Sequence, residues 1–393
     1  MSTPSGSATL PERLVSLDAF RGLTMLFMAS SGFGIPQIAK AFPDSAFWEL
    51  LRYNTTHAAW VGGGAWDMIQ PAFMFMVGMA LPFSSSRRSA EGQDGRRRFL
   101  HTLWRAFALV ALGVFLSTSA GGRPNFIFTN VLAQIGLGYV FLTVLVGKGW
   151  KTQLGAIGVI AVATWTAFVL MPVAGPGTDF KALGVTEPGQ TFSGLWAHWN
   201  MNANIAASFD QWFLNLFPRE TPFVFNNGGY QTLNFVPALI TMILGLMAGE
   251  NLRSEKTPGE KLNWLLKAGG LCLVLALVTG TTLCPVIKRL WTPSWALYSG
   301  AVVLWTFALF YWFIDIKGRK AWTFPLVVVG MNSIAIYVAY QLTAGWIRSV
   351  GRTWIGNDLF TGTTGALASS LLVLGVLWTF CWWLYRRKVF IRI

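Results

Sequence analysis

The stretch His57-Ala58-Ala59-Trp60-Val61-Gly62-Gly63-Gly64-Ala65-Trp66-Asp67 runs straight into MIQPAFMFMVGMALPFS at residues 68–84, and this junction decides how the chain is read. An apolar run of that length crosses a bilayer as a helix. Three glycines let the chain turn tightly into it. A histidine, which titrates near neutrality, stands at the mouth with a carboxylate ten residues on. Together they have the makings of a general base and its orienting partner. Read locally, the same residues are a helix-capping Asp67 and an interfacial His57.

Working outward, runs of about 20 apolar residues recur at 17–38, 66–84, 102–119, 129–147, 152–173, 230–249, 263–283, 294–315, 324–343 and 366–386. The chain therefore reads as an all-α polytopic membrane bundle of about ten transmembrane helices. Composition agrees: 53% of the 393 residues are hydrophobic and 12% charged, with a mean hydropathy of +0.49. A soluble enzyme of this size carries about twice that charge. Residues 1–16 read as a polar, disordered tail without a cleavable signal. Residues 17–393 read as one domain with a long external loop at 174–229, and a loop of that length is either functional or packed on itself.

The net charge of +14 would suggest nucleic acid in a soluble protein. Here 21 of the 30 basic residues fall on one side of the ten-helix topology. The positive-inside rule makes that side cytoplasmic, with both termini there, so no nucleic-acid partner is expected. Cys272, Cys284 and Cys381 read as packing residues. No HExxH, CxxC, P-loop or GxSxG motif occurs, so neither a metal site nor a serine hydrolase is expected.

Polar residues inside apolar runs are functional candidates by default. Asp18 and Arg21 share a helical face at the cytoplasmic end of the first run, either as a structural anchor or as part of a site. Asn130 and Gln134, then Gln231, Thr232 and Asn234, then Asn332 and Ser333 are either interhelical glue or the lining of a polar cavity. The external loop adds Asn200, Asn202, Asn204, Asp210, Arg219, Asn226 and Asn227 beside Trp196, Trp199, Trp212 and Tyr230. That mixture suits a sugar, although Trp and Tyr also favour any membrane interface.

These landmarks in order resemble the heparan-α-glucosaminide N-acetyltransferase family and its bacterial relatives over roughly residues 13–343. They are Arg13 through Gly22, His57 through Asp67 with Pro71, Phe73 and Gly78, Asn130 through Gly136, Leu244 through Gly249, and Gly330 through Ile334. The resemblance implies a membrane acyltransferase in which the residue at His57 takes part in acetyl transfer from acetyl-CoA to a sugar amine across the membrane. Joined to the reading of the residues above, it makes His57 and Asp67 the catalytic pair. Asn130, Gln134, Asn332, Ser333 and Arg21 are candidates for holding the acyl-CoA, and Asp210, Asn227, Gln231 and Thr232 for holding the acceptor. Arg87, Arg88 and Arg96 to Arg98 would attract CoA phosphates, or simply mark a cytoplasmic loop. Departures fall at Gly32, where the family carries asparagine, at Asn226 to Gly229, which replace an acidic opening of the sixth helix, and at Tyr340 and Gln341, which replace histidine and glutamate. These positions leave the acceptor open.

The expectation is an inner-membrane acyltransferase using cytoplasmic acyl-CoA, a sugar-like acceptor at the outer face and no metal, with a homodimer as a candidate assembly. The rival from another class is a transporter of a small amino sugar, which a polar midplane cavity would equally serve. A membrane scaffold comes third.

Overall fold

The computed structural model describes residues 14–90, 94–118 and 122–391. Residues 1–13 of the expected tail and the side chains of Arg87 and Arg88 lie outside the described residues. In chain order the helices are α1 (Val15–Ala29), α2 (Ile35–Ala39), α3 (Ala46–Thr55), α4 (Ile69–Ala90), α5 (Gly95–Thr118), α6 (Val131–Val144), α7 (Trp150–Leu170), α8 (Ile205–Leu214), α9 (Phe235–Arg253), α10 (Pro258–Thr282), α11 (Pro293–Phe310), α12 (Phe324–Gly330), α13 (Ser333–Ile355) and α14 (Gly362–Arg386). The chain is a polytopic helical membrane protein. Each of the ten apolar runs is helical, but the helices are uneven. Among the described residues seven are long and apolar enough to cross a membrane, or eight if one bent pair counts as a span.

Three differences from the sequence reading have local causes. The first helix starts at Val15, two residues inside the expected tail, because the Ser16 amide is held by Asp315 Oδ2 at 3.3 Å. The run at 324–343 breaks by 66° between α12 and α13 and then continues to Ile355. Asn332 sits at the break with a non-helical φ of −125° and ψ of 37°. Its amide donates to Val389 O at 3.2 Å and accepts from Ile391 N at 3.1 Å, tying down the segment after α14. Third, α3 and α8 form within segments read as loops, each started by a side-chain cap, Ser45 for α3 and Asn204 for α8.

Inside the bundle α9 is the central helix, with 83% of its apolar window buried, while only 11% of α7 is. Small residues explain the centre. A Cβ on Gly78 of α4 would run into Met242 O, and Cβ atoms on Gly245 and Gly249 of α9 would meet Phe75 O and Met79 O. Only glycine lets the two backbones touch, the usual device where lipid removes any hydrophobic drive between helices. Cys272, Cys284 and Cys381 are buried and unpaired.

The 174–229 segment packs on itself and over the end of the bundle that carries His57. Trp199 stacks on Phe168 with centroids 6.0 Å apart, and its carbonyl receives Trp60 Nε1 at 3.1 Å.

Candidate active site

The loop from His57 to Gly64 is held open by three glycines with different duties. Gly62 has φ +86°, a conformation that L side chains avoid. Gly63 leaves room for the Trp295 ring, whose nearest atom lies 2.6 Å from where a Cβ would sit, and Gly64 for Tyr53 O, also at 2.6 Å. Asn54 Oδ1 accepts from Ala65 N at 3.1 Å and fixes the far end of the turn to α3.

Asp67 sits where this loop meets α4, fully buried, and both its oxygens are engaged. Oδ2 accepts from Ala58 N at 3.0 Å and from Gly64 N at 3.3 Å. Oδ1 lies 2.7 Å from His57 Nδ1. Asp67 is thus both the cap and the partner of the histidine. The two sequence readings of that residue describe one carboxylate.

Lys288, absent from the sequence-level candidates, completes the group. Its side chain is 6% exposed, and Nζ lies 3.0 Å from Asp67 Oδ1 and 3.0 Å from His57 Nδ1. A carboxylate only accepts hydrogen bonds, so the short contact to Asp67 assigns the proton to His57 Nδ1. Lys288 then also donates to Asp67. In the neutral ring this leaves the lone pair on Nε2, on a side chain 44% exposed, with Lys288 Nζ a neighbouring charge rather than a hydrogen-bond partner of Nδ1. A buried carboxylate with a cation and an imidazole on one oxygen, plus two amides on the other, is fully compensated. The free imidazole nitrogen is then a base with an open approach.

Lys288 reaches this place because the turn between α10 and α11 is clipped to the glycine loop. Gly62 N donates to Val286 O at 2.8 Å, and Val61 and Ile287 form an antiparallel bridge. Arg289, next along, donates to Ala58 O at 3.1 Å and Gly228 O at 2.8 Å and lies 5.7 Å from the Tyr230 ring centroid. It ties the 226–230 loop to the histidine segment. The signal available in the sequence was a Lys-Arg pair in a short segment on the side the positive-inside rule leaves poor in such residues.

The other expected site residues divide. Asn227 is exposed on the loop that Arg289 draws toward His57. Gln134 donates to Phe128 O at 2.8 Å and Thr232 O at 3.0 Å, and Gln231 to Asn202 Oδ1 at 3.2 Å, so these buried amides tie helices and loop together. Asp210, expected to hold the acceptor, lies at the joint between α8 and the start of α9. It is fully buried, and Oδ2 accepts from Thr232 N at 2.9 Å, fastening α8 to the start of α9. Burial pushes its carboxyl up to about 6, against the opposing pull of the Thr232 donors and Arg219. Thr232 gives its backbone amide to the same joint. Asn200, Asn202 and Asn204 likewise bond the backbone of their own loop rather than presenting amides to a sugar.

Of the expected donor residues, Asn130 caps α6 through Leu132 N at 2.9 Å. Asn332 pins Val389 and Ile391, with Ser333 following as the first residue of α13. Arg21 lies 3.8 Å from Asp18 on α1, beside α12. None of these is brought to His57. A cleft of about 320 Å³ opens instead between α4, α5 and α6, lined by Ser85, Arg98, Thr102, Tyr139 and Thr143.

A family model described as the catalytic region of heparan-alpha-glucosaminide N-acetyltransferase matches residues 13–284. The heparan-alpha-glucosaminide N-acetyltransferase of Homo sapiens is 22% identical over 441 residues, covering 98% of this chain and 61% of that protein. That of Mus musculus is 22% identical over 387 residues, covering 86% and 55%. The chain thus spans about three-fifths of the length of the curated relatives it matches. Lys288 lies just past the matched region.

Proposed function

We propose a function from one premise: the chain belongs to the heparan-α-glucosaminide N-acetyltransferase family. It transfers an acetyl or other short acyl group from cytoplasmic acyl-CoA to an amine or hydroxyl of a sugar-like acceptor at the opposite face of an inner membrane. The observation that carries this reading is the buried Asp67 carboxylate shared by His57 Nδ1 at 2.7 Å and Lys288 Nζ at 3.0 Å, which leaves Nε2 as the free base.

In the transfer, Nε2 takes the proton of the acceptor N–H or O–H as that atom attacks the thioester carbonyl carbon. The new C–N or C–O bond forms, the C–S bond breaks, and the CoA thiolate leaves with the proton carried by the imidazolium. Asp67 and Lys288 do not touch the acceptor. Asp67 holds the ring and stabilises the imidazolium while Lys288 holds Asp67, in support of general base catalysis worth about 10²–10⁴-fold. Asn227 and Tyr230 form the acceptor wall. The cleft bearing Arg98 suits the phosphates of the donor, since a guanidinium fork matches phosphate oxygens. A covalent route, with His57 Nε2 acylated first and the acceptor attacking second, uses the same residues.

Purified protein given radiolabelled acetyl-CoA and an amino-sugar acceptor should release CoA and label the acceptor. Acceptor uptake into proteoliposomes without CoA turnover would assign the chain to transport instead. Acid-quenched protein carrying label on His57 would select the covalent route.

A further inference from the structure

A second polar cluster lies beside the His57 loop and has no part in the chemistry above. Immediately after α1, four consecutive residues adopt left-handed backbone: Ser31 at φ 49°, Gly32 at 67°, Phe33 at 53° and Gly34 at 67°. Two of them are not glycine, so this turn costs energy and persists only because its surroundings dictate it, as at ligand clamps. Gly32 packs on Thr55, two residues before His57, with 3.0 Å between its would-be Cβ and Thr55 O. Gly34 lies against Ala366 of α14. Phe27, one turn earlier on α1, packs edge-on against Trp66 at 5.1 Å, and Trp66 lies 6.4 Å from the His57 ring.

The turn presents Ser31 to α13. Ser31 Oγ and Tyr340 Oη are 2.7 Å apart, and Arg348 donates to Ser31 Oγ at 3.0 Å. Among the described residues no carboxylate lies within ion-pair distance of Arg348, and the side chain is only half-buried. A guanidinium in that setting has five donors in a flat fork and a single hydroxyl to use them on. One hydroxyl hydrogen is also left over: if Ser31 donates to Tyr340 the phenol hydrogen is unspent, and if Tyr340 donates to Ser31 the serine hydrogen is. Donors converge here without an acceptor of matching charge, and a half-buried guanidinium with donors to spare at the outer end of the bundle offers an anion charge-assisted hydrogen bonds.

We propose that Ser31, Tyr340 and Arg348 form an anion subsite beside His57, taking a carboxylate, sulfate or phosphate of the acceptor, so that the acceptor is an acidic sugar. The word acceptor rests on the acyltransferase reading; the anion subsite does not. A phospholipid headgroup offers the same chemistry, and the test separates the two sources.

Thermal unfolding of the full chain in uncharged detergent is followed with glucosamine 6-phosphate, glucuronate and glucosamine. Binding to the folded state raises Tm by mass action. The two acidic sugars should stabilise the protein at concentrations at least tenfold below those needed for glucosamine. Arg348→Gln should lose at least tenfold in their affinity, and Arg348→Lys less. Should Arg348→Gln fail to fold, Tyr340→Phe keeps the ring and should weaken the acidic sugars several-fold while leaving glucosamine unchanged. Equal affinity for charged and neutral sugars, or an unchanged affinity in both variants, overturns the proposal. So does stabilisation that depends on Arg348 only in phosphatidylglycerol nanodiscs and never with soluble sugars, since that marks a headgroup anchor. Sugar binding that requires Arg348 without any acyl transfer would uphold the subsite and remove the enzymatic reading.

Discussion

Asp67 and Asp210 are both fully buried carboxylates at the same end of the bundle, yet they answer burial differently. Asp67 is met by an imidazole, an ammonium and two backbone amides. Asp210 is met by the Thr232 amide at 2.9 Å, with Arg219 acting only at a distance. The first arrangement keeps a charge and leaves one imidazole nitrogen facing outward. The second is a joint that gains from losing its charge. Burial alone therefore does not mark a site; the charge of the partners and a free face do.

The contrast breaks most directly at His57. His57→Ala should lower acyl transfer by about 10²–10⁴-fold, the range for a lost general base, while acyl-CoA binding stays within several-fold. Radiolabelled acetyl-CoA measures both, and wild-type turnover in this variant would end the assignment. Lys288→Met strands the Asp67 charge and should cost about 3–5 kcal/mol of stability. The double variant Asp67→Asn with Lys288→Met should regain most of that stability and none of the turnover. A double variant no more stable than the single one would mean that Lys288 serves packing rather than charge.

Asp210 should behave in the opposite sense. Its folded carboxyl titrates near 6 against an ordinary value of 3.8, so its contribution to stability is whole at low pH and is lost as pH rises through about 6. Asp210→Asn keeps an acceptor for Thr232 N, should gain on the order of 2 kcal/mol at pH 7 relative to wild type, and should flatten the dependence between pH 4 and 7. Thermal unfolding across that range checks the sign; a variant less stable than wild type at pH 7 contradicts it. Turnover should be unchanged. The mildest perturbation tests which side both carboxylates face. In a cysteine-free background, Thr186→Cys and Glu255→Cys should be labelled by an impermeant maleimide from opposite sides of the membrane, with Thr186→Cys the external one. Labelling of both from outside would invert the comparison.

The helical runs and the His57–Asp67 pair were legible because both are local signals, hydropathy within a window and two residues ten apart in a glycine-rich segment. The break at Asn332 was not, since nothing near it in sequence announces that its amide belongs to Val389 and Ile391. The bonds of Asp210 and the loop asparagines to nearby backbone were not legible either, because composition reveals which groups are polar and not which neighbours will meet them. Lys288 was read only as one of the minority of basic residues outside. Its meaning depends on the Gly62–Val286 and Val61–Ile287 contacts, which no window spans.

The clip that delivers Lys288 also sets a schedule for making the protein. Lys288 is 231 residues downstream of His57, so at about 5–20 residues/s a ribosome adds it roughly 10–50 s later. During that interval α4 is already made while Asp67 has no cation beside it. The nascent bundle has to hold this end open to water, or shielded by insertion machinery, until the α10–α11 turn arrives. A chain truncated before Lys288 should accordingly be retained by that machinery and turned over, even though most of its membrane helices are intact.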